Sequence, residues 1–203
     1  MKFILASQSP RRQALLKKII PEFEIIVSNV DENIAEYDSP VDFAVKAAVK
    51  KAEAVTEIIT DPDNSVIITA DTIVVKGNAI FGKPKDEEDA RRILGELMEI
   101  EHQVITGFCI YGGSLKKRVS GYDISNVCLK KLSDNELENY IKYSGCFDKA
   151  GAYGIQDMKS FENNNVTGNT VNFDIVKYFT GSYDNIVGFP TEKFSEKFRE
   201  LYK

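Results

Sequence analysis

Asp71 is the residue least at home in its surroundings. It lies inside Val66-Ile67-Ile68-Thr69-Ala70-Asp71-Thr72-Ile73-Val74-Val75, a run that reads as a strand buried on both faces. An ionised carboxylate there is costly unless it is paired, hydrogen-bonded or bound to a metal, and strand interiors are depleted in aspartate. Either Asp71 does chemistry, or the strand breaks there and its side chain caps a turn. Lys51 poses a matching question. At helical spacing Ala44, Ala48, Lys51 and Val55 share one stripe, with Ala47 and Ala54 beside it. A lysine on that stripe must snorkel to water or meet a buried anion.

Two further clusters are cationic. Ser7-Gln8-Ser9-Pro10-Arg11-Arg12 falls at a strand-to-helix junction. Free N–H groups at a helix N-terminus favour an anion, and hydroxyls and guanidiniums placed there add donors matched to phosphate oxygens. Arginines in a first turn oppose the helix dipole by about 0.3–1 kcal/mol each, a cost that an anion would offset. The alternative is a plain cap with two solvated arginines. Gly82-Lys83-Pro84 pins a lysine between glycine and proline just after a hairpin. Together with Glu32, these residues supply carboxylates (Glu32, Asp71) and cations (Arg11, Arg12, Lys51, Lys83). That is the inventory for metal-assisted attack of water on a phosphoanhydride. Neither a Walker GxxxxGK[ST] loop nor a GxGxxG loop is present, so P-loop and Rossmann readings have no support.

The elements that must position these residues alternate short strands with amphipathic helices, an α/β pattern without repeats, expected to form one domain over 1–203. Lys2–Ala6 reads as a strand, and Ser9-Pro10 as a cap and first residue of a helix whose apolar face holds Leu15, Leu16, Ile19 and Ile20. Phe23–Val27 is expected to be a strand leading to the acidic Asp31-Glu32. Ser39-Pro40 opens a helix to about Ile58, and Ser65–Val75 is a long strand ending at a Gly77-Asn78 turn. Ala90, Ile93, Leu94 and Leu97 mark another helix face. His102–Tyr111 and Val119–Leu129 pair around Gly112-Gly113, and Ser133 with Glu136 forms a capping box. Gly145–Gln156 is punctuated by glycine, and Lys159–Asn172 is a polar loop. Val171–Phe179 is expected as the last strand and Thr191–Lys203 as the closing helix.

Composition narrows the partners. A net charge of −5 gives no bulk attraction to nucleic acid or an anionic membrane, and no stretch is long enough to span one. Cys109, Cys128 and Cys146 are odd in number and form no CxxC pair, which suits a reducing cytoplasm and argues against structural zinc. His102 is the sole histidine, so a metal must be hard and oxygen-liganded.

Taken in order, these residues resemble the Maf family of nucleotide pyrophosphatases, once linked to septum formation. Leu5-Ala6-Ser7-Gln8-Ser9-Pro10-Arg11-Arg12 looks like its N-terminal signature, and Val30-Asp31-Glu32 is similar to its acidic motif. Lys50-Lys51-Ala52, Ala70-Asp71-Thr72, Gly82-Lys83-Pro84 and His102-Gln103-Val104 look like the motifs that follow. Asp148-Lys149-Ala150-Gly151-Ala152-Tyr153-Gly154-Ile155-Gln156, Gly181-Ser182-Tyr183 and Gly188-Phe189-Pro190 resemble the C-terminal half. The sequence departs from the family at Met98-Glu99, at Cys146-Phe147 and in the longer Lys159–Asn172 stretch.

The resemblance implies a mixed central sheet flanked by helices, in two lobes around a cleft, similar to inosine triphosphatases. It implies cleavage between the α- and β-phosphates with magnesium or manganese. The Ala-Gly-Ala-Tyr-Gly-Ile-Gln tract looks like the subgroup preferring dTTP, UTP and modified pyrimidine triphosphates. On that matching Ser7, Arg11, Arg12 and Gln156 bind substrate. Lys51 and Lys83 lie on phosphate oxygens, Glu32 and Asp71 hold the metal, and Asp71 is the candidate general base. The family tends to dimerise, so a homodimer is compatible with the resemblance, although the sequence carries no interface signal. The rival readings are a nucleotide-binding regulator of cell division without significant turnover, and a nucleotidyltransferase.

Overall fold

The computed structural model describes residues 1–27, 30, 34–113, 117–158 and 173–201. The strands are β1 (Lys2–Leu5), β2 (Glu24–Ile25), β3 (Ser65–Lys76), β4 (Ala79–Phe81), β5 (Glu101–Gly112), β6 (Lys117–Leu129) and β7 (Val176–Thr180). They follow the order β2-β1-β3-β5-β6-β7, with β4 pairing β3. β1 runs parallel to β2 and β3, while β3–β4 and β6–β7 are antiparallel, so the sheet is mixed. The helices are α1 (Pro10–Lys17), α2 (Pro40–Ile58), α3 (Glu87–Leu97), α4 (Asp134–Tyr143), α5 (Tyr183–Val187) and α6 (Thr191–Leu201). No helix among the described residues is long and apolar enough to cross a membrane.

The chain divides into two compact units. One comprises Met1–Thr72, Ile105–Ile124 and Asp184–Lys203; the other comprises Ile73–Val104 and Ser125–Tyr183. In the first unit both faces of the sheet are covered. Val66, Ile68 and Ala70 of β3 join Leu15 and Leu16 of α1, Phe108 of β5 and Phe194 of α6 in one core cluster. Ile67 joins Ala48, Ala52 and Val55 of α2 in another. The strand's two-residue period thus sends even positions towards α1 and α6 and odd positions towards α2.

Caps set the helix starts. Ser9 accepts from the Arg12 amide and Ser39 from the Asp42 amide, each followed by proline at the first helical position. Ser133 and Glu136 close a reciprocal capping box on α4. Most strand boundaries lie within one or two residues of expectation, and two strands are much shorter than expected. β2 is only two residues, both exposed, where Phe23–Val27 was expected, and the final strand begins at Val176 rather than Val171. The closing helix is described to Leu201. The Lys159–Asn172 stretch lies outside the described residues. In the second unit the backbone between α4 and β7 forms short 3-10 turns at Cys146–Asp148, Ala150–Ala152 and Ile155–Met158. Cys109, Cys128 and Cys146 are free thiols and all are buried.

Candidate active site

Asp71 is the seventh residue of β3, which continues through it without a break. As an odd position it faces α2, where Lys51 occupies the buried stripe with Ala44, Ala47, Ala48, Ala52 and Val55. Lys51 Nζ donates to Asp71 Oδ1 at 2.6 Å, and each residue is only 8 % exposed. Thr69, two positions earlier on the same face, donates to the Ala48 carbonyl at 2.7 Å and ties β3 to α2 beside the pair. The lysine meets a buried anion instead of snorkelling, and each partner supplies the counter-charge that burial demands. Among the described hydrogen bonds the pair uses Oδ1 of the carboxylate.

Thr72, the next residue, points to the other face. Its Oγ1 accepts from Arg12 Nη2 at 3.0 Å and lies 3.0 Å from Thr106 Oγ1, which in turn donates to the Asn185 carbonyl at 3.0 Å. Arg12 Nε donates to the Gly188 carbonyl at 2.9 Å and Nη1 to Ser7 Oγ at 3.5 Å. Ser7 is buried and also accepts from the Ser9 amide at 3.2 Å. Arg12 is therefore not a solvated first-turn cation. Its guanidinium is braced by β3 and by the segment before α6, while Arg11 is half-buried on the same turn. Ser7, Arg12 and the α1 N-terminus come together around hydrogen-bond donors, the arrangement that suits an anionic oxygen.

In the second unit, Lys83 is exposed and Gln156 half-buried. The Gly82 carbonyl accepts from the Gly151 amide at 2.9 Å, so the loop that carries Lys83 is tied to the tract that carries Gln156. Gly151 has φ +71°, and a Cβ there would lie 2.7 Å from Val74 Cγ2, so both backbone and space call for glycine. Ala152 shares the left-handed region at φ 61°. For a non-glycine residue this costs of order 1–3 kcal/mol, and such strain clusters at ligand sites.

A family model described as Maf-like protein matches residues 2–201. The chain belongs to the Maf family. Its Maf relatives include a protein of Clostridioides difficile named dTTP/UTP pyrophosphatase, 39 % identical over all of this chain and 96 % of its own length. One of the same name from Alkaliphilus metalliredigens is 43 % identical, covering 96 % of this chain and 93 % of its own. Another, from Clostridium botulinum, is 36 % identical, covering 98 % and 96 %. A solved structure, the Staphylococcus aureus Ham1 protein, aligns at 15 % identity and a TM-score of 0.46 over 64 % of this chain and 72 % of that one.

The donor chemistry of this Maf chain suits a hard cation. Asp71 is a buried carboxylate, and no group of three or more histidine, cysteine, aspartate or glutamate residues that could hold a metal ion occurs among the described residues. Magnesium is characteristically held by one or two carboxylates, with water and substrate phosphates completing its shell. Asp71 fits that sparse mode. Glu32, the second carboxylate expected from the sequence, lies outside the described residues. Sequence reasoning missed the residues that brace Arg12, namely Thr72, Thr106 and Gly188. Gly188-Phe189-Pro190 was visible as a motif, but its contact with Arg12 depends on the fold.

Proposed function

We propose that this Maf chain hydrolyses dTTP and UTP, with modified pyrimidine triphosphates in the same class, to the nucleoside monophosphate and pyrophosphate. The observation that carries the chemistry is the Asp71 carboxylate, buried in a strand and anchored through one oxygen by Lys51 at 2.6 Å. The full-length relatives named dTTP/UTP pyrophosphatase support the substrate class.

In this reading Asp71 accepts a proton from the attacking water, whose oxygen bonds to phosphorus as the α–β phosphoanhydride breaks and pyrophosphate departs. Ser7, Arg11, Arg12 and the α1 N-terminus bind phosphate oxygens. Lys51 orients Asp71, and Lys83 contributes a further cation. Gln156 contacts the base. A divalent magnesium or manganese ion held by Asp71 and Glu32 would neutralise phosphate charge. The work is assigned to the cytoplasm, consistent with buried, unpaired thiols.

The test is pyrophosphate release from dTTP, UTP, CTP, 5-methyl-UTP, GTP and 7-methyl-GTP, with magnesium, with manganese and with excess chelator. Metal-dependent release favouring dTTP and UTP is the expected outcome. Preference for 7-methyl-GTP would retain the chemistry and overturn the pyrimidine assignment. Binding without release from any nucleotide would favour a regulator.

A further inference from the structure

The Gly154-Ile155-Gln156 segment is tied at both ends by buried hydrogen bonds that the proposed reaction does not use. At one end His102 Nδ1 lies 2.9 Å from the Ile100 carbonyl, and His102 Nε2 lies 2.8 Å from the Tyr153 hydroxyl. A carbonyl can only accept, so Nδ1 carries the proton. Nε2 of the neutral ring is then an acceptor, and the Tyr153 O–H must point at it. Burial holds the His102 pKa below its ordinary value, which keeps the ring in this neutral form. At the other end Asp157 Oδ2 accepts from the Tyr140 hydroxyl at 2.7 Å and from the Gly154 amide at 3.1 Å. Ile155 between them is buried.

This bracket bears on the Gln156 amide. A Cβ on Gly154 would lie 2.5 Å from Gln156 Nε2, so the amide nitrogen rests against the bare Cα of a turn clamped on both sides. A carboxamide has one accepting and one donating end. Uracil and thymine present an N–H donor beside a carbonyl acceptor, whereas cytosine presents an acceptor beside an amino donor. A freely flipping amide pairs with either pattern; a fixed one pairs with only one.

We propose that Tyr153 is a positioning residue for base specificity: by donating to His102 it fixes the turn from which Gln156 presents its amide in one orientation, selecting uracil and thymine over cytosine. The inference rests on the assignment of Gln156 to the nucleotide base.

The experiment is a double-substitution cycle read in two ways: kcat and KM for UTP and CTP, and calorimetric binding of the uncleavable α,β-methylene analogues of both. Tyr153→Phe keeps the ring and removes the donor. It should cut the UTP-to-CTP ratio by about tenfold, the scale of one hydrogen bond, mainly through KM. In the Gln156→Ala background the same change should have no further effect on the ratio, since coupled residues are not additive. An unchanged ratio, or an equal fall with Gln156→Ala present, overturns the inference. His102→Gln, whose Oε1 can stand in for Nε2, should retain more of the ratio than His102→Asn; equal losses would also count against it. If the wild type binds both analogues without cleaving UTP, the hydrolase reading fails while the binding ratio still decides this one.

Discussion

Lys51 and Asp71 are held by regular elements, a helix stripe and a strand, and their attraction is ionic. The stretch from Ala150 to Asp157 is held by irregular backbone, with short turns and left-handed Gly151 and Ala152, and its buried clamps join a neutral histidine and two tyrosine hydroxyls to the Asp157 carboxylate, with Lys149 Nζ 4.0 Å from it. A charge in a core needs its counter-charge, so in the first region replacing one partner alone should cost stability in a single step. The second is held by several modest bonds and should degrade by steps.

The largest contrast should appear at Asp71. Asp71→Asn preserves shape and removes the proton acceptor, and positioned base catalysis typically contributes about 10²–10⁴-fold. Pyrophosphate release should fall by at least that order; near-normal turnover would refute the role. Lys51→Met should cost about 3–5 kcal/mol of stability in urea denaturation, because it strands a buried carboxylate. Combining it with Asp71→Asn should recover most of that stability and none of the activity. Failure to recover would mean that packing, not charge, makes the lysine necessary.

Effects in the second region should be smaller. Ala152→Gly removes the left-handed strain at φ 61° and should raise stability by up to about 1 kcal/mol after the entropy of the unfolded glycine is counted. A loss of stability there would show that the methyl packs usefully. The smallest effect concerns pH. Since burial lowers the His102 pKa from 6.5, the unfolded chain binds its proton first. This contribution is complete above that value and is lost as pH falls through the depressed one. The urea midpoint of the wild type should therefore drop more steeply in mild acid than that of His102→Gln; parallel curves would remove His102 from the account.

The same contrast explains what could be read in advance. Asp71 and Lys51 are legible because each breaks the apolar period of its own element, which is a local signal. α2 runs from Pro40 to Ile58 as the cap and apolar spacing require. His102, Tyr140 and Tyr153 break no pattern, because an aromatic in an apolar setting looks like core. The His102–Tyr153 bond joins residues 51 apart, and Arg12 reaches a carbonyl 176 positions away. No spacing rule connects them. α5 escaped notice because five residues are too few to show a helical period.

The three sequestered thiols give the molecule built-in clocks. Cys109 belongs to the first unit, and Cys128 and Cys146 to the second. Burial pushes the Cys109 thiol up to about 12, so almost no thiolate exists until it is uncovered. A thiol reagent added to the native protein would then record excursions from the closed state, and peptide masses would show which unit opened first. A nucleotide that favours the folded form would lengthen each interval. The cysteines, silent in the chemistry, would time it.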